Sequence, residues 1–338
     1  MVTKKKRIVL IDGDILCFRT SAACEVRSVE VLHNKSTKKK IFKNKTEFKD
    51  FLKAKEFKYV EQDYTFTDVQ TLNDEMSYQF LLKNQMKSLN ERLWWDEVKV
   101  LISGKNNFRD QLPLPRKYKG NREGTLKPLV RQECKDYLIG KYKAEVINGC
   151  ETDDALIYIG YEYLSKGYEV IIVSNDKDSN CYTGLKLYDY TKENPEIIEI
   201  PKLGSLWIDP KGKVRGLGFL HYCHQMLIGD LTDGYKPTDL TNPKVSFGER
   251  SSLDLLEECS SEQEALQVVI SQYMKWYAKW FTYTDCFGMQ LEANWKDILD
   301  MYHKCVRMKE TPDDRLVFND FAMKYGIDLF NYVEEMQD

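Results

Sequence analysis

The sequence predicts an α/β fold in which helices flank a mostly parallel central sheet. Up to about residue 205, short apolar runs of strand length alternate with longer helical stretches, a pattern typical of parallel sheets. The chain has 338 residues, of which 42% are hydrophobic and 30% charged. It can therefore bury a substantial core, and the composition excludes the disordered, collagen-like and coiled-coil classes.

Four apolar runs predict the strands of this sheet: Arg7–Ile11, Val98–Ser103, the weaker Ala144–Asn148, and Glu169–Ser174. Continuous apolar runs of this length are typical of strands buried on both faces. Three helices are predicted between them, over 74–94, 128–142 and 153–166. Ligands of parallel sheets bind outside the carboxyl ends of the strands, so these ends are where functional residues are expected.

The pattern changes after about residue 205. Short helices with turn signals such as Asp-Pro-Lys-Gly come first, followed by an aromatic-rich helical tail. We predict three segments: 1–205, 206–260 and 261–338. At helical spacing, the aromatic stripe between Gln272 and Trp295 favours a core role over a stacking platform.

Charge and cysteine content narrow the classes of function. The net charge is −3, which argues against a simple cationic wrapper of nucleic acid. Nine cysteines without a Cys-x-x-Cys pair indicate reduced thiols and a cytoplasmic protein. The sequence shows no signal-peptide pattern and no membrane-spanning run, so no membrane role is expected.

Acidic residues cluster in short motifs, most of them at or just after predicted strands. Eight of these acids are the strongest candidates for metal ligands: Asp12, Glu151, Asp153, Asp154, Asp176, Asp178, Asp230 and Asp233. The isolated Asp110 is a weaker candidate. Carboxylates packed together repel one another unless a cation lies among them. Mg²⁺ or Mn²⁺ has the required preference for oxygen ligands, and two such ions can catalyse phosphoryl transfer. Each motif alone is compatible with an ordinary helix start or turn.

Two basic segments accompany the acids. Arg109 and the run Arg116-Lys117-Tyr118-Lys119-Gly-Asn-Arg122 follow the second strand and suit phosphate clamping with base stacking; a solvated loop is the alternative. Ten lysines lie between Lys35 and Lys58, including Lys38, Lys39 and Lys40. This second segment is either a solvated hairpin and helix or an arm that faces phosphates.

These motifs, in this order, resemble the family of 5′–3′ exonucleases and flap endonucleases, which includes bacteriophage exonucleases and the N-terminal nuclease domain of bacterial DNA polymerase I. The resemblance covers about residues 7–260. The matching pieces are Val9-Leu-Ile-Asp12-Gly, Phe108-Arg109 with Tyr118-Lys119-Gly-Asn-Arg122, Glu151-Thr-Asp153-Asp154, Ser174-Asn-Asp176-Lys-Asp178, and Gly229-Asp230-Leu-Thr-Asp233-Gly234.

The resemblance implies a PIN-like nuclease core over 1–205, with a basic insert at about 30–60 and a clamp at about 105–142. A helix–three-turn–helix unit that grips duplex DNA would follow over 206–260, with Gly234, Gly248 and a K⁺ ion at the backbone, and then the helical tail. Asp12, Glu151, Asp153 and Asp154 would hold or support one metal ion, and Asp176, Asp178, Asp230 and Asp233 the other. Lys119, Arg122 and Arg109 would contact the scissile phosphate, with Arg116, Lys117 and Tyr118 beside them.

The implied activity is two-metal hydrolysis of DNA from a 5′ end or a 5′ flap, giving 5′-phosphate products. RNA in RNA–DNA hybrids is a further hypothetical substrate. The setting would be phage replication or nucleotide salvage in the host cytoplasm, with a replication protein as a hypothetical partner of the C-terminal region.

One departure keeps other functions open. Many family members carry an aspartate just after the second strand, whereas this chain reads Ser103-Gly104-Lys105. A DNA-binding protein of the same fold with weakened catalysis is therefore one alternative, although Asp14 or water could fill the gap. A PIN-type ribonuclease is the other, and the unit around Asp230 and Asp233 argues against it.

Overall fold

The computed structural model describes residues 5–330. Within them lie ten α-helices and thirteen strands. The strands are β1 Arg7–Asp12, β2 Glu25–His33, β3 Lys39–Phe42, β4 Tyr64–Leu72, β5 Glu97–Ser103, β6 Glu145–Ile147, β7 Glu169–Val173, β8 Lys186–Tyr188, β9 Ile197–Glu199, β10 Ser205–Ile208, β11 Val214–Leu217, β12 Phe281–Thr284 and β13 Gln290–Ala293. The helices are α1 Gly13–Ala23, α2 Lys45–Ala54, α3 Tyr78–Leu93, α4 Arg131–Tyr142, α5 Thr152–Ser165, α6 Gly218–Ile228, α7 Glu249–Leu256, α8 Glu262–Trp276, α9 Trp295–Val306 and α10 Phe318–Met323.

The central sheet confirms the predicted fold class. Its six strands follow the order β6-β5-β1-β7-β8-β9, and all neighbouring pairs are parallel except β8 with β9. All four predicted strands are present in it. Asp12, the last residue of β1, pairs with Leu101 of β5, and Ile11 pairs with Val173 of β7. The carboxyl ends of the three strands therefore meet at one edge.

The strands are buried along their length, which explains why continuous apolar runs in the sequence predicted them. Ile8, Val9, Leu10 and Ile11 of β1 are fully buried. Helix α5 packs on this sheet, and its apolar residues join a core cluster with β1, β7 and β8. The sheet is thus a rigid support for the residues that follow its strands.

By its internal contacts the chain divides into two units. The first comprises residues 1–12, 93–125 and 144–338, and the second comprises 13–92 and 126–143. Residues on both sides of position 205 lie in the first unit, whereas much of the predicted core segment forms the second.

The second unit contains the basic insert. Strands β3, β2 and β4 form an antiparallel sheet in that order. Helix α2 packs on it through Phe48 and Leu52, which share a small core with Val29, Val31 and Phe42. In the same unit α1 packs against α4. The insert is therefore a folded element with a hydrophobic core of its own.

The remainder of the first unit is built around helix α6. Ten of its eleven residues are buried, and they pack with α8 and α9 in the largest hydrophobic cluster. Tyr273, Tyr277 and Trp295 belong to that cluster, as predicted for the aromatic stripe. Strands β12 and β13 interrupt the tail with an antiparallel hairpin, so the tail is less helical than predicted. Part of it, residues 331–338, lies outside the described residues.

Two further expectations can be compared with the structure. All nine cysteines are free thiols, in agreement with the predicted absence of a disulfide framework. Among residues 5–330, the helices are too short or too polar to cross a bilayer.

Candidate metal centre

A first group of acids lies where β1 ends and α5 begins, and consists of Asp12, Glu151 and Asp153. The pKa of Asp153 is raised well above its usual range, by burial first and then by the carboxylates of Asp176, Asp12 and Glu151. The Oδ1 atom of Asp153 is buried and has no hydrogen-bond partner among the described residues. A buried, unsatisfied carboxylate oxygen beside like charges is an environment that a cation would stabilise.

A second group consists of Asp178, Asp230 and Asp233, each of which offers an oxygen within 4.8 Å of the others'. Burial and then the carboxylates of Asp176, Asp233 and Asp230 raise the pKa of Asp178 well above its usual range. Burial likewise raises the pKa of Asp233. Three oxygens at this separation suit a hard divalent cation.

The loop after α6 brings Asp230 and Asp233 into place. Gly229 adopts φ +73°, and a Cβ atom there would lie 2.6 Å from the carbonyl oxygen of Tyr235. Asp230 and Tyr235 exchange two backbone hydrogen bonds of 3.0 Å. Only glycine combines this φ with so close an approach, so the Gly-Asp-Leu-Thr-Asp-Gly motif encodes the turn that presents both carboxylates.

Asp176 connects the two groups. Its charge raises the pKa of both Asp153 and Asp178, and its Oδ1 atom accepts a hydrogen bond from the Asp178 amide at 2.9 Å. The acids of the two groups therefore interact electrostatically with one another at this edge of the sheet.

Cationic and phenolic groups face these acids. The Lys119 ammonium contacts a Glu151 carboxylate oxygen and lies 3.8 Å from Asp233 Oδ2. The Arg122 guanidinium donates to Asp233 Oδ1 at 2.6 Å. The Tyr118 hydroxyl is buried, 2.9 Å from Asp233 Oδ2 and 3.1 Å from Glu151 Oε2. These side chains link a carboxylate of the first group to one of the second.

Two side chains at the second group were not singled out from the sequence. The Lys177 ammonium lies 2.9 Å from Asp230 Oδ2 and lowers the pKa of that carboxyl group, although burial opposes the shift. The Gln225 amide donates to Asp178 Oδ1. The position of Lys177 between two acids was a readable signal, whereas Gln225, in the middle of α6, gave none.

Arg109 and Asp154 have a different position from the one expected. Both side chains are fully buried and form a bidentate pair, with N–O distances of 2.6 and 3.0 Å. Arg109 also donates to the carbonyl oxygens of Lys304 and Arg307. With its donors engaged away from solvent, Arg109 is not placed to touch a phosphate, and Asp154 is not placed to hold a metal ion. Their pair instead fixes the start of α5.

The stretch Ser103-Gly104-Lys105 at the end of β5 contributes no carboxylate to the first group. A Cβ atom at Gly104 would lie 2.3 Å from Asn148 Oδ1 and 2.7 Å from the Ile147 carbonyl oxygen. Ser103 is engaged in a 2.7 Å hydrogen bond with the Thr152 hydroxyl. The alternative residue, Asp14, lies in the second unit and pairs with Lys135 at 2.7 Å.

The remaining predicted DNA-binding residues belong to both units. Arg116 pairs with Asp239, and Lys117 pairs with Glu123. Gly234 lies against the backbone of Lys117 and Lys119, whereas the exposed Gly248 begins α7. Lys38, Lys39 and Lys40 are exposed in the second unit.

Metal binding is expected to stabilise the fold. Because a cation would relieve the repulsion among the acids, saturating Mn²⁺ should raise the melting temperature. A hundredfold excess over Kd contributes about 2.7 kcal/mol, or roughly 4 °C for a chain of 338 residues at about 2.1 cal/mol/K of unfolding entropy per residue. Thermal unfolding with Mn²⁺ and with EDTA tests this. The double variant Asp153→Asn/Asp178→Asn should lose the gain, and an unchanged melting temperature in the unaltered protein would contradict the site.

Comparison with known proteins gives structural neighbours alone. No family model matches the sequence, and no curated protein matches it. The matching solved structures include a bacteriophage T5 flap endonuclease pseudo-enzyme–product complex with DNA and metal ions, which is 14% identical over 95% of this chain and 98% of that chain, with a TM-score of 0.47. A T5 protein co-crystallised with metal ions is 15% identical over 79% of both chains, with a TM-score of 0.45. A T5 5′-exonuclease with bound zinc is 14% identical over 89% of this chain and 98% of that chain, with a TM-score of 0.43.

The structural neighbours are 5′-exonucleases and flap endonucleases. They belong to the family that the sequence motifs resemble.

Proposed function

We propose that this protein is a divalent-metal-dependent nuclease that hydrolyses DNA phosphodiesters. The observation that carries the proposal is the pair of acid groups joined by Asp176, with Lys119 and Arg122 against them. Repulsive carboxylates beside phosphate-binding cations serve no purpose in a purely structural core. Together they match the requirements of phosphoryl transfer.

The donor set is of the kind that Mg²⁺ or Mn²⁺ prefers, and its oxygens at the second group lie within 4.8 Å of one another. One ion would be held by the first group, Asp12, Glu151 and Asp153, and the other by Asp178, Asp230 and Asp233, with Asp176 available to both. All the donors are carboxylate oxygens, which these ions prefer. When bound, two such ions supply activation of water and stabilisation of charge on phosphate oxygens.

The protein's own groups hold and orient the substrate. Arg122 is half exposed and Lys119 is partly so, and their charged groups lie at the acids, where they would fix a phosphate group. Tyr118, held between Glu151 and Asp233, orients both carboxylates. The Arg109–Asp154 pair positions the first turn of α5, which carries Glu151 and Asp153.

The finer assignments follow from the motif resemblance. They are 5′–3′ exonuclease activity with 5′-flap cleavage and 5′-phosphate products, cleavage of RNA in hybrids, a K⁺ ion in the unit around α6 and α7, and a role in phage replication or salvage in the host cytoplasm. A replication-protein partner for the C-terminal region belongs to the same set.

A gel assay on 5′-labelled duplex DNA and a 5′-flap duplex tests the proposal. With Mg²⁺ or Mn²⁺, we expect release of mononucleotides or short oligomers from the 5′ end, and with EDTA no release. Tight binding without cleavage in either metal would favour the weakened DNA-binding protein, in line with Ser103-Gly104. Cleavage of single-stranded RNA but not of flap DNA would favour the PIN-type ribonuclease.

A further inference from the structure

The basic insert of the second unit has a charge unlike that of the rest of the chain. Ten lysines, three acidic residues and no arginine lie between Lys35 and Lys58, while the whole chain carries −3. All ten lysines are exposed. Within residues 5–330, only Lys35 and Lys39 form ion pairs, with Asp63 and Glu30, each at 2.8 Å. Eight ammonium groups therefore face solvent without a carboxylate partner.

Helix α2 arranges part of this charge in a row. Lys45, Lys49 and Lys53 recur at four-residue spacing, which places them on one side of the helix over about 12 Å. Lys40 of β3 lies over the Phe51 ring, with its ammonium 4.0 Å from the ring centre, on the opposite flank of α2 from this row. We refer to Lys45, Lys49 and Lys53 as the basic face.

Aromatic rings beneath the basic face hold its lysines in place. The Lys45 ammonium lies 4.8 Å from the Phe66 ring, and the Lys49 ammonium lies 4.8 Å from the Tyr59 ring. Both rings pack on the core of the insert. A lysine whose ammonium is held over a ring is already partly ordered, so less conformational entropy remains to be lost when an anion binds.

We propose that the basic face binds the phosphodiester backbone of a nucleic acid. Its length of about 12 Å matches roughly three to four phosphates of one strand at about 3.4 Å each. Lysine presents point charges rather than the bidentate fork of arginine, so the face contacts backbone charge without reading bases. The surface is centred on α2 rather than on the Lys38–Lys40 run. The proposal rests on the proposed function only in taking this nucleic acid to be the one that is cut.

The test measures how DNA binding by the full-length protein depends on salt concentration. EDTA is present so that the DNA is not cut during the measurement. The variant carries Lys45→Gln, Lys49→Gln and Lys53→Gln, and the probe is labelled duplex DNA. Loss of three phosphate contacts should reduce the slope of log K against log salt by about 2 to 3, with an affinity loss on the order of tenfold or more near 0.1 M salt. Single-stranded DNA and duplex RNA, measured in parallel, show which backbone is preferred.

Two matched variants complete the design. Lys5→Gln with Lys275→Gln and Lys279→Gln removes three exposed lysines of the first unit and should keep the original slope. Replacing Lys45, Lys49 and Lys53 with arginine retains the charge and should also keep it. An unchanged slope in the glutamine variant of α2, or an equal loss in the first-unit variant, would overturn the proposal.

The experiments can refute DNA binding by the basic face without refuting the nuclease function, and the reverse. The α2 glutamine variant should still cut bound DNA at low salt with Mg²⁺, because none of its changes touches the acids. Absence of cleavage by the unaltered protein would refute the nuclease function and leave the salt slope in EDTA unaffected.

Discussion

Replacing Asp176 with asparagine is expected to lower the rate of DNA cleavage roughly a hundredfold or more, equivalent to about 2.7 kcal/mol of transition-state stabilisation, while DNA affinity in EDTA stays close to that of the unaltered protein. Asp176 is the acid whose charge acts on both Asp153 and Asp178. Its loss would therefore weaken both metal positions at once. Single-turnover cleavage with Mg²⁺ and binding in EDTA measure the two effects separately.

The choice of asparagine isolates charge from structure. Asparagine retains an Oδ1 atom that can accept the hydrogen bond from the Asp178 amide, so the turn after β7 should keep its shape. The matched control is Asp254→Asn, an exposed acid on α7 paired with Arg250 at 2.8 Å, which should cut at the original rate. Normal cleavage by the Asp176→Asn variant would show that Asp176 has no part in the metal site. A loss of thermal stability with the same rate would make it a structural residue.

The carboxyl edge of the sheet was predictable because its determinants are local. Strands β1 and β7 are buried on both faces, so they read as continuous apolar runs, and the acids follow them directly in sequence. Parallel pairing then brings the strand ends together without further information. The glycine before Asp230 is a local signal as well, since its backbone conformation is one that other residues adopt at a cost.

The roles of Arg109 and Asp154 were not predictable from local sequence. Asp154 stands beside Glu151 and Asp153 in a single motif, and Arg109 belongs to a basic run, so both looked like parts of the site. Their burial depends on carbonyl groups of Lys304 and Arg307, about two hundred residues further along the chain. The hairpin of β12 and β13 was missed because its alternating aromatic residues, Phe281 and Tyr283, were included in the aromatic stripe predicted to be helical.

The basic insert was predicted in part from the sequence. A hairpin and a helix were one of the two structures predicted for the lysine-rich segment. The lysines predicted to bind DNA, however, were Lys38, Lys39 and Lys40. In the structure Lys39 is neutralised by Glu30, and the rings that hold Lys40, Lys45 and Lys49 come from separate parts of the insert. Pairing across strands and packing of α2 decide which charges stay available.

Replacing Arg109 with methionine is expected to destabilise the protein by about 3–5 kcal/mol, because it leaves the Asp154 carboxylate buried without its partner. At about 1.4 °C per kcal/mol for 338 residues, from an unfolding entropy of about 2.1 cal/mol/K per residue, the melting temperature should fall by about 4–7 °C. Thermal unfolding in EDTA measures the change without any contribution from bound metal. Arg109→Lys should also be destabilising, since one ammonium cannot replace the bidentate pair and the two bonds to carbonyl oxygens.

The double variant Arg109→Met/Asp154→Leu distinguishes two roles of Arg109, a structural ion pair with Asp154 and a contact with the phosphate. Removing both charges eliminates the unpaired ion, so much of the lost stability should return, whereas a residue that contacts phosphate would not be rescued by a change at Asp154. If Arg109→Met instead kept the original melting temperature and lost DNA cleavage, the position at a phosphate that the motif resemblance implies would be right. The buried geometry argues for the first outcome, because every donor that Arg109 would need for a phosphate already serves the start of α5 and the end of α9.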